Sequence, residues 1–146
     1  MPDFDGDSPK IATVKQYFRR GDAGRADLVE GFSNDFQFYF PKFGVGQGKT
    51  EFMDFITGLV GSLNSLAHDM DGMTFIESGD SVVVEGLTYG EDRLGGCWEG
   101  GKTPGGRFCS VFQFRGDLIV RMHIYLDPDY TSRDQGRFLW GKDRRW

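Results

Sequence analysis

Acid–base chemistry near neutral pH draws first on histidine, and the chain has two, His68 and His123. His68 stands in Ala67-His-Asp69, where Asp69 is placed to orient the ring. It is therefore a candidate base, against the plainer reading of a solvated loop side chain. His123 alternates with Arg121 and Tyr125, which reads as an interface or a surface hydrogen bond. Glu85 shares a strand face with Leu87 and Tyr89 and reads as a cross-strand partner of Arg121. Cys97 and Cys109 lack the paired ligands of a zinc site, so no metal is expected. The letters Gly96-Cys-Trp-Glu-Gly-Gly101-Lys102-Thr103 fit a phosphate loop, but Pro104-Gly-Gly leads into a strand at Phe108 and not into a helix. Gly44-Val-Gly-Gln-Gly48-Lys49-Thr50 does open a helix, but Phe43 stands where the first glycine belongs. Neither segment predicts a nucleotide, and no cofactor is expected.

The elements that must position these groups are legible from periodicity. Ser8-Pro9 starts a helix, with a side-chain acceptor at the cap and proline in the first turn. Ile11, Val14 and Phe18 follow at helical spacing, with Tyr17 beside them. After the turn at Gly21-Asp-Ala-Gly, a short helix over 25–32 is expected, then a strand in which Phe36, Phe38 and Phe40 alternate with polar or tyrosine residues up to Pro41. A helix over 49–63 carries Phe52, Phe55, Ile56, Leu59, Val60 and Leu63 in one stripe. Strands over 73–76, 82–89, 108–114 and 118–126 come next, with 95–99 paired to the start of the third across the glycine-rich turn. Helices first and an antiparallel meander last make an α+β arrangement. The expected organisation is a single domain over 1–146, with its core at 8–127 and a C-terminal extension at 128–146.

This order resembles the nuclear transport factor 2-like superfamily, in its SnoaL-like and ketosteroid isomerase-like branch. The carriers are Tyr17-Phe18-Arg-Arg-Gly-Asp-Ala-Gly, Gly31-Phe32-Ser-Asn-Asp35, Val82-Val-Val-Glu-Gly86 and Phe112-Gln-Phe-Arg-Gly-Asp-Leu-Ile119 running into Tyr125-Leu-Asp127. The resemblance implies a cone-shaped fold, helices on a curved, mainly antiparallel sheet that encloses a pocket. Strand alternation then turns Phe36, Phe38 and Phe40, Val84, Gly86 and Thr88, Phe108, Ser110 and Phe112, and Val120, Met122, Ile124 and Leu126 inward. Ile119, Arg121, His123, Tyr125 and Asp127 face out. The residues expected to touch a ligand are Tyr17, Phe38, Phe40, Phe55, Leu59, Val84, Thr88, Phe108, Ser110, Phe112, Met122, Ile124 and Leu126. Matching the superfamily's enzymes, the isomerase base falls on Phe40 and its second carboxyl on Ser110, leaving only Tyr17. The epoxide hydrolase set falls on Thr88, Gly86 and Ile124, and the cyclase acid/base on Ile124 with its histidine at Ser110. All three sets lack their proton-transfer groups. What remains resembles an apolar small-molecule site with hydroxyls at Tyr17, Thr88 and Ser110, each of which could equally be a plain structural residue. His68 lies where the cavity of this fold often opens.

Composition sets the bounds on partners. A net charge of −5 repels a phosphate backbone, so nucleic acid is not expected, and Lys142, Arg144 and Arg145 read as a solvated tail. No apolar run is long enough to span a bilayer and the acidic N-terminus is unlike a signal peptide, so the expected place is the cytoplasm, away from membranes. Fourteen phenylalanines predict a core or pocket walled by rings. The leading expectation is a protein that binds a hydrophobic small molecule. The alternatives are a lyase, isomerase or cyclase using Tyr17 and His68, and a homodimerisation module without a ligand. Four corollaries follow: a cavity with no carboxylate at its centre, a homodimer through the outer sheet face at Val83, Glu85, Val111 and Tyr125, Cys97 opposite Cys109 with Trp98 opposite Phe108, and an ordered tail packed through Phe138, Leu139 and Trp140.

Overall fold

Helix α1, Pro9–Asp22, begins where Ser8 caps it: the Ser8 hydroxyl accepts the Ile11 N–H at 3.2 Å, and Pro9 occupies the first turn. The structure, a computed structural model, describes residues 6–41 and 43–126. Within them α1 buries Ala12, Val14 and Phe18, and a 3-10 turn, Ala26–Val29, replaces the expected second helix. Strand β1, Phe32–Phe40, starts four residues earlier than its phenylalanine alternation announces, and turns back into β2, Gly44–Gln47. The Phe38 ring lies across Gly46, where an added Cβ would stand 2.2 Å from it, so β2 needs glycine at that point. Helix α2, Gly48–Ser62, lays Phe52 and Phe55 on β1, while Val60 stays 61% exposed at the end of the expected stripe.

The second half is the expected meander with an unexpected strand: β3, Leu63–His68; β4, Thr74–Ser78; β5, Ser81–Asp92; β6, Cys97–Glu99; β7, Arg107–Arg115; and β8, Leu118–Leu126. The main sheet path runs β2-β1-β8-β7-β5-β3, with β1 parallel to β8 and the other pairs antiparallel. The long β5 carries β4 and then β3 along one edge, and β7 and then β6 along the other. This is the α+β arrangement read from the sequence.

Two details of register are corrected. β6 pairs with β5 and not with β7, so Cys97 opposes Glu91 and Trp98 opposes Gly90, while Cys109 opposes Glu85 and Tyr125. The reason lies at Thr88, whose N–H donates to the Gly106 carbonyl at 2.7 Å and whose carbonyl accepts the Gly100 N–H at 2.9 Å. The glycine-rich segment is pinned there at both ends, which sets β6 and β7 end to end. In β8, a bulge at Val120 separates Gln113↔Arg121 from Phe114↔Ile119. It turns Ile119, expected outside, fully inward, and leaves Val120 half-buried. The expectations for the tail over 128–146 and for Asp127 lie outside the described residues.

The core is a lattice of rings. Phe32 and Phe36 meet at 4.6 Å between centroids, Phe38 and Phe52 at 5.1 Å edge-on, and Phe40 and Phe55 at 4.8 Å. Such tilted and edge-on pairs add about 0.5–1.5 kcal/mol each beyond burial. They fix the end of the sheet over which a cavity opens.

Candidate functional site

A cavity of about 760 Å³ lies between α1, α2, β3 and the inner faces of β5, β7 and β8. Of the residues expected to touch a ligand, Tyr17, Phe40, Phe55, Leu59, Thr88, Phe108, Ser110, Ile124 and Leu126 line it. Phe38, Val84, Phe112 and Met122 face the same way but lie fully buried in the core, away from the cavity wall. Sequence reasoning missed the wall contributed by β3, through Leu63, Asn64, Ser65 and Leu66, and the rim arginines Arg25, Arg93 and Arg107.

The polar groups are few and each has a distinct position. Tyr17 keeps accessible area because it borders the cavity, yet protein surrounds its phenol, with Phe18, Phe32 and Phe112 rings edge-on at 5.0, 5.3 and 5.9 Å. That burial first, and the Asp22 charge second, push its pKa well above the ordinary tyrosine value. Tyr17 is therefore a neutral hydrogen-bond donor. The Thr88 hydroxyl accepts the Trp98 indole N–H at 3.1 Å, and that buried indole lies across Gly90. Ser110 stands on the adjacent strand, 1% exposed.

His68, the last residue of β3, also lines the cavity. Its orienting group is not Asp69, which instead accepts the Gly72 N–H at 3.2 Å. Asp22 takes that role from the end of α1: Oδ1 lies 2.6 Å from His68 Nδ1, and Oδ2 accepts the His68 backbone N–H at 2.8 Å. The His68 ring is held between Phe18 and Phe108, at 4.9 and 5.2 Å. Asp22 itself lines the cavity, so a carboxylate belongs to its wall, whereas the expectation concerned only the centre. One signal in the sequence pointed to it: a carboxylate at a helix C-terminus opposes the helix dipole and needs a local partner.

His123 and Glu85 stand where the alternation put them. His123 Nδ1 accepts from Arg121 at 2.9 Å, and its Nε2 lies 2.8 Å from the Gln37 side-chain oxygen. Desolvation first and the Arg121 charge second lower its pKa, keeping it neutral in a surface network. Glu85 is exposed and faces Cys109 and Thr74 across the sheet, so it is not the cross-strand partner of Arg121: β7 lies between β5 and β8, and Arg121 opposes Gln113. The segment 44–50 is strand β2 running directly into α2 with no intervening loop, and 96–103 is β6 and a turn, so neither has the strand-loop-helix form of a phosphate loop.

With that geometry in place, comparison with known proteins gives the lineage. A SnoaL-like domain matches residues 14–122. The chain belongs to the SnoaL-like domain family. No curated protein matches this SnoaL-like chain. Among solved structures, it is similar to a nuclear transport factor 2-like protein of unknown function from Burkholderia pseudomallei, with a TM-score of 0.74, 18% identity and coverage of 87% of this chain and 97% of that one. It is similar to one from Anabaena variabilis, at 0.68 and 22%, covering 90% and 97%. TerC, co-crystallised with polyporic acid, matches at 0.70 and 19%, covering 82% and 92%. At these identities the likeness shows the fold: this SnoaL-like chain has the nuclear transport factor 2-like architecture. No helix among the described residues is long and apolar enough to cross a membrane.

Proposed function

We propose that this SnoaL-like chain binds a hydrophobic small molecule, cyclic or aromatic, in the cavity beneath α1 and α2. The observation that carries the reading is the cavity itself. About 760 Å³ walled by Phe18, Phe40, Phe55, Phe108, Ile124 and Leu126 falls within the ~300–1,000 Å³ typical of ligand sites, and its few hydroxyls are the small number of polar groups such sites use for orientation. That TerC, a protein of the same architecture, was co-crystallised with polyporic acid supports the same use of the chamber.

Calorimetric titration with 2-naphthol tests this directly. Binding at one site per chain is expected, and Leu59→Trp, which fills the cavity wall from α2, should weaken it by about tenfold, or ~1.4 kcal/mol. Leu118→Trp, on the far end of β8, should leave it unchanged. Absence of naphthol binding, together with native mass spectra showing no retained small molecule, would sink the proposal.

The clamped His68 favours a second reading, in which the chamber is catalytic and the protein is a lyase, isomerase or cyclase: Tyr17 polarises a carbonyl and His68 moves the proton. The homodimer through Val83, Glu85, Val111 and Tyr125 is compatible with either reading. It is supported by the 48% exposure of Tyr125 and 62% exposure of Ile76 on β8 and β4.

A further inference from the structure

We infer that Asp22 and His68 form a proton-transfer pair whose substrate is an enolisable cyclic ketone, with Tyr17 donating to its carbonyl oxygen; the inference rests on the cavity being a ligand site. The strand positions that carry proton-transfer groups in the enzymes this fold resembles hold Phe40, Gly86, Thr88, Ser110 and Ile124 here. The pair lies elsewhere in the chamber, where the end of α1 meets the end of β3.

Both carboxylate oxygens of Asp22 are committed to one residue, Oδ1 to the His68 ring at 2.6 Å and Oδ2 to its backbone N–H at 2.8 Å. With Nδ1 facing a carboxylate, the neutral ring carries its proton there, and Nε2 holds the free electron pair. Nε2 has no protein partner among the described residues, and neither does the Tyr17 hydroxyl. A solvated surface histidine would have neither a two-point carboxylate clamp nor rings on two sides at 4.9 and 5.2 Å. The arrangement holds an imidazole in one tautomer and one orientation, as a general base requires. It shares a cavity with a phenol that stays protonated, so base and oxygen-directed donor act on the same ligand.

The step balances without a co-reactant. The C–H bond next to the carbonyl breaks, and its proton bonds to His68 Nε2. The electron pair left on carbon becomes a C=C bond, and the carbonyl pair moves to oxygen, which accepts the Tyr17 O–H hydrogen bond. Return of the proton from Nε2 to carbon completes the cycle, at the same carbon or at a conjugated one. Asp22 touches no reacting atom, and its role is that of a positioning residue that stabilises the imidazolium while it exists.

The probe is 2-tetralone in D₂O, with loss of the α-proton signal followed by NMR, and 2-naphthol as the planar mimic of its enol. The wild-type chain should accelerate exchange beyond an equal concentration of free imidazole. His68→Gln should lower the rate by about 10²-fold or more while naphthol still binds. Asp22→Asn should lower it comparably, because an amide facing Nδ1 favours the wrong tautomer, and Asp22→Glu should recover part of the rate. A purely structural Asp22 would instead lower the melting temperature in both variants without separating them. Should His68→Gln fail to fold, the Asn and Glu pair carries the test. Naphthol binding without accelerated exchange, or exchange that survives both His68→Gln and Asp22→Asn, would overturn the pair and leave the ligand site standing. Absence of naphthol binding and of exchange would overturn both.

Discussion

Tyr17 shows how a single side chain can be read correctly in type and only later in circumstance. Its place at helical spacing beside Phe18 marked it as facing inward; the ring cage that keeps its phenol neutral comes from Phe32 and Phe112, which no local pattern connects to it. The consequence for stability has a definite sign. An unfolded tyrosine releases its proton near pH 10, whereas burial holds the proton in the fold, so this contribution is intact below about pH 10 and is lost as the pH rises beyond it. Tyr17→Phe should therefore narrow the fall in melting temperature between about pH 8 and pH 10.5 relative to wild type. An identical fall in both proteins would show that the phenol titrates freely. His68 teaches the converse. Its neighbour Asp69 looked like the orienting group because it adjoins it in sequence, but it lies just past the end of β3, where its carboxylate accepts the Gly72 N–H. The group that reached the ring, Asp22, is 46 positions away.

Single elements carry the next set of lessons, above all the junction at Thr88, where Gly100 and Gly106 flank one residue of β5. Gly106 has φ of +100°, and a Cβ there would stand 2.7 Å from the Thr88 carbonyl oxygen and 2.8 Å from the Gly100 Cα. Gly95 has φ of +83° with open space around it. Both alanine variants suffer backbone strain, but only Gly106→Ala also drives a Cβ into the backbone of Thr88 and Gly100, so it should cost about 1–3 kcal/mol more than Gly95→Ala in chemical denaturation. Equal losses would mean that the junction tolerates rearrangement. The helices, the phenylalanine strand and the last three long strands were legible in the sequence, since each repeats a period over enough residues to be recognised. β2 and β3 were not, because Gly-Val-Gly-Gln carries one apolar residue and Leu-Asn-Ser-Leu-Ala-His follows the α2 stripe without a break. The missing β3 is also why a whole wall of the cavity went unread. The pairing of β6 was misplaced for a related reason: a hairpin across the glycine-rich turn was the simplest geometry, and only the long β5 offers the alternative edge.

At the scale of the molecule, the outer face of the sheet leaves Ile76 and Tyr125 in solvent while Val83 and Val111 stay half-buried on the same surface. Sedimentation at micromolar concentration should give twice the 16.5 kDa of one chain, and Tyr125→Glu should shift it toward the monomer. A wild-type monomer would remove the dimer from consideration. The other large-scale feature is the parallel pairing of β1 with β8, which sets Phe38 beside Met122. It joins strands from opposite ends of the described chain, and long-range pairings of this kind are formed late. During synthesis, at roughly 5–20 residues per second, the first strand must wait several seconds for its partner to exist. Over that interval Phe32, Phe36, Phe38 and Phe52 have no β8 to close over them, so the emerging chain carries its most aromatic surface uncovered. The architecture that closes over these rings in the finished protein thus leaves the unfinished one with its most aromatic surface open to water.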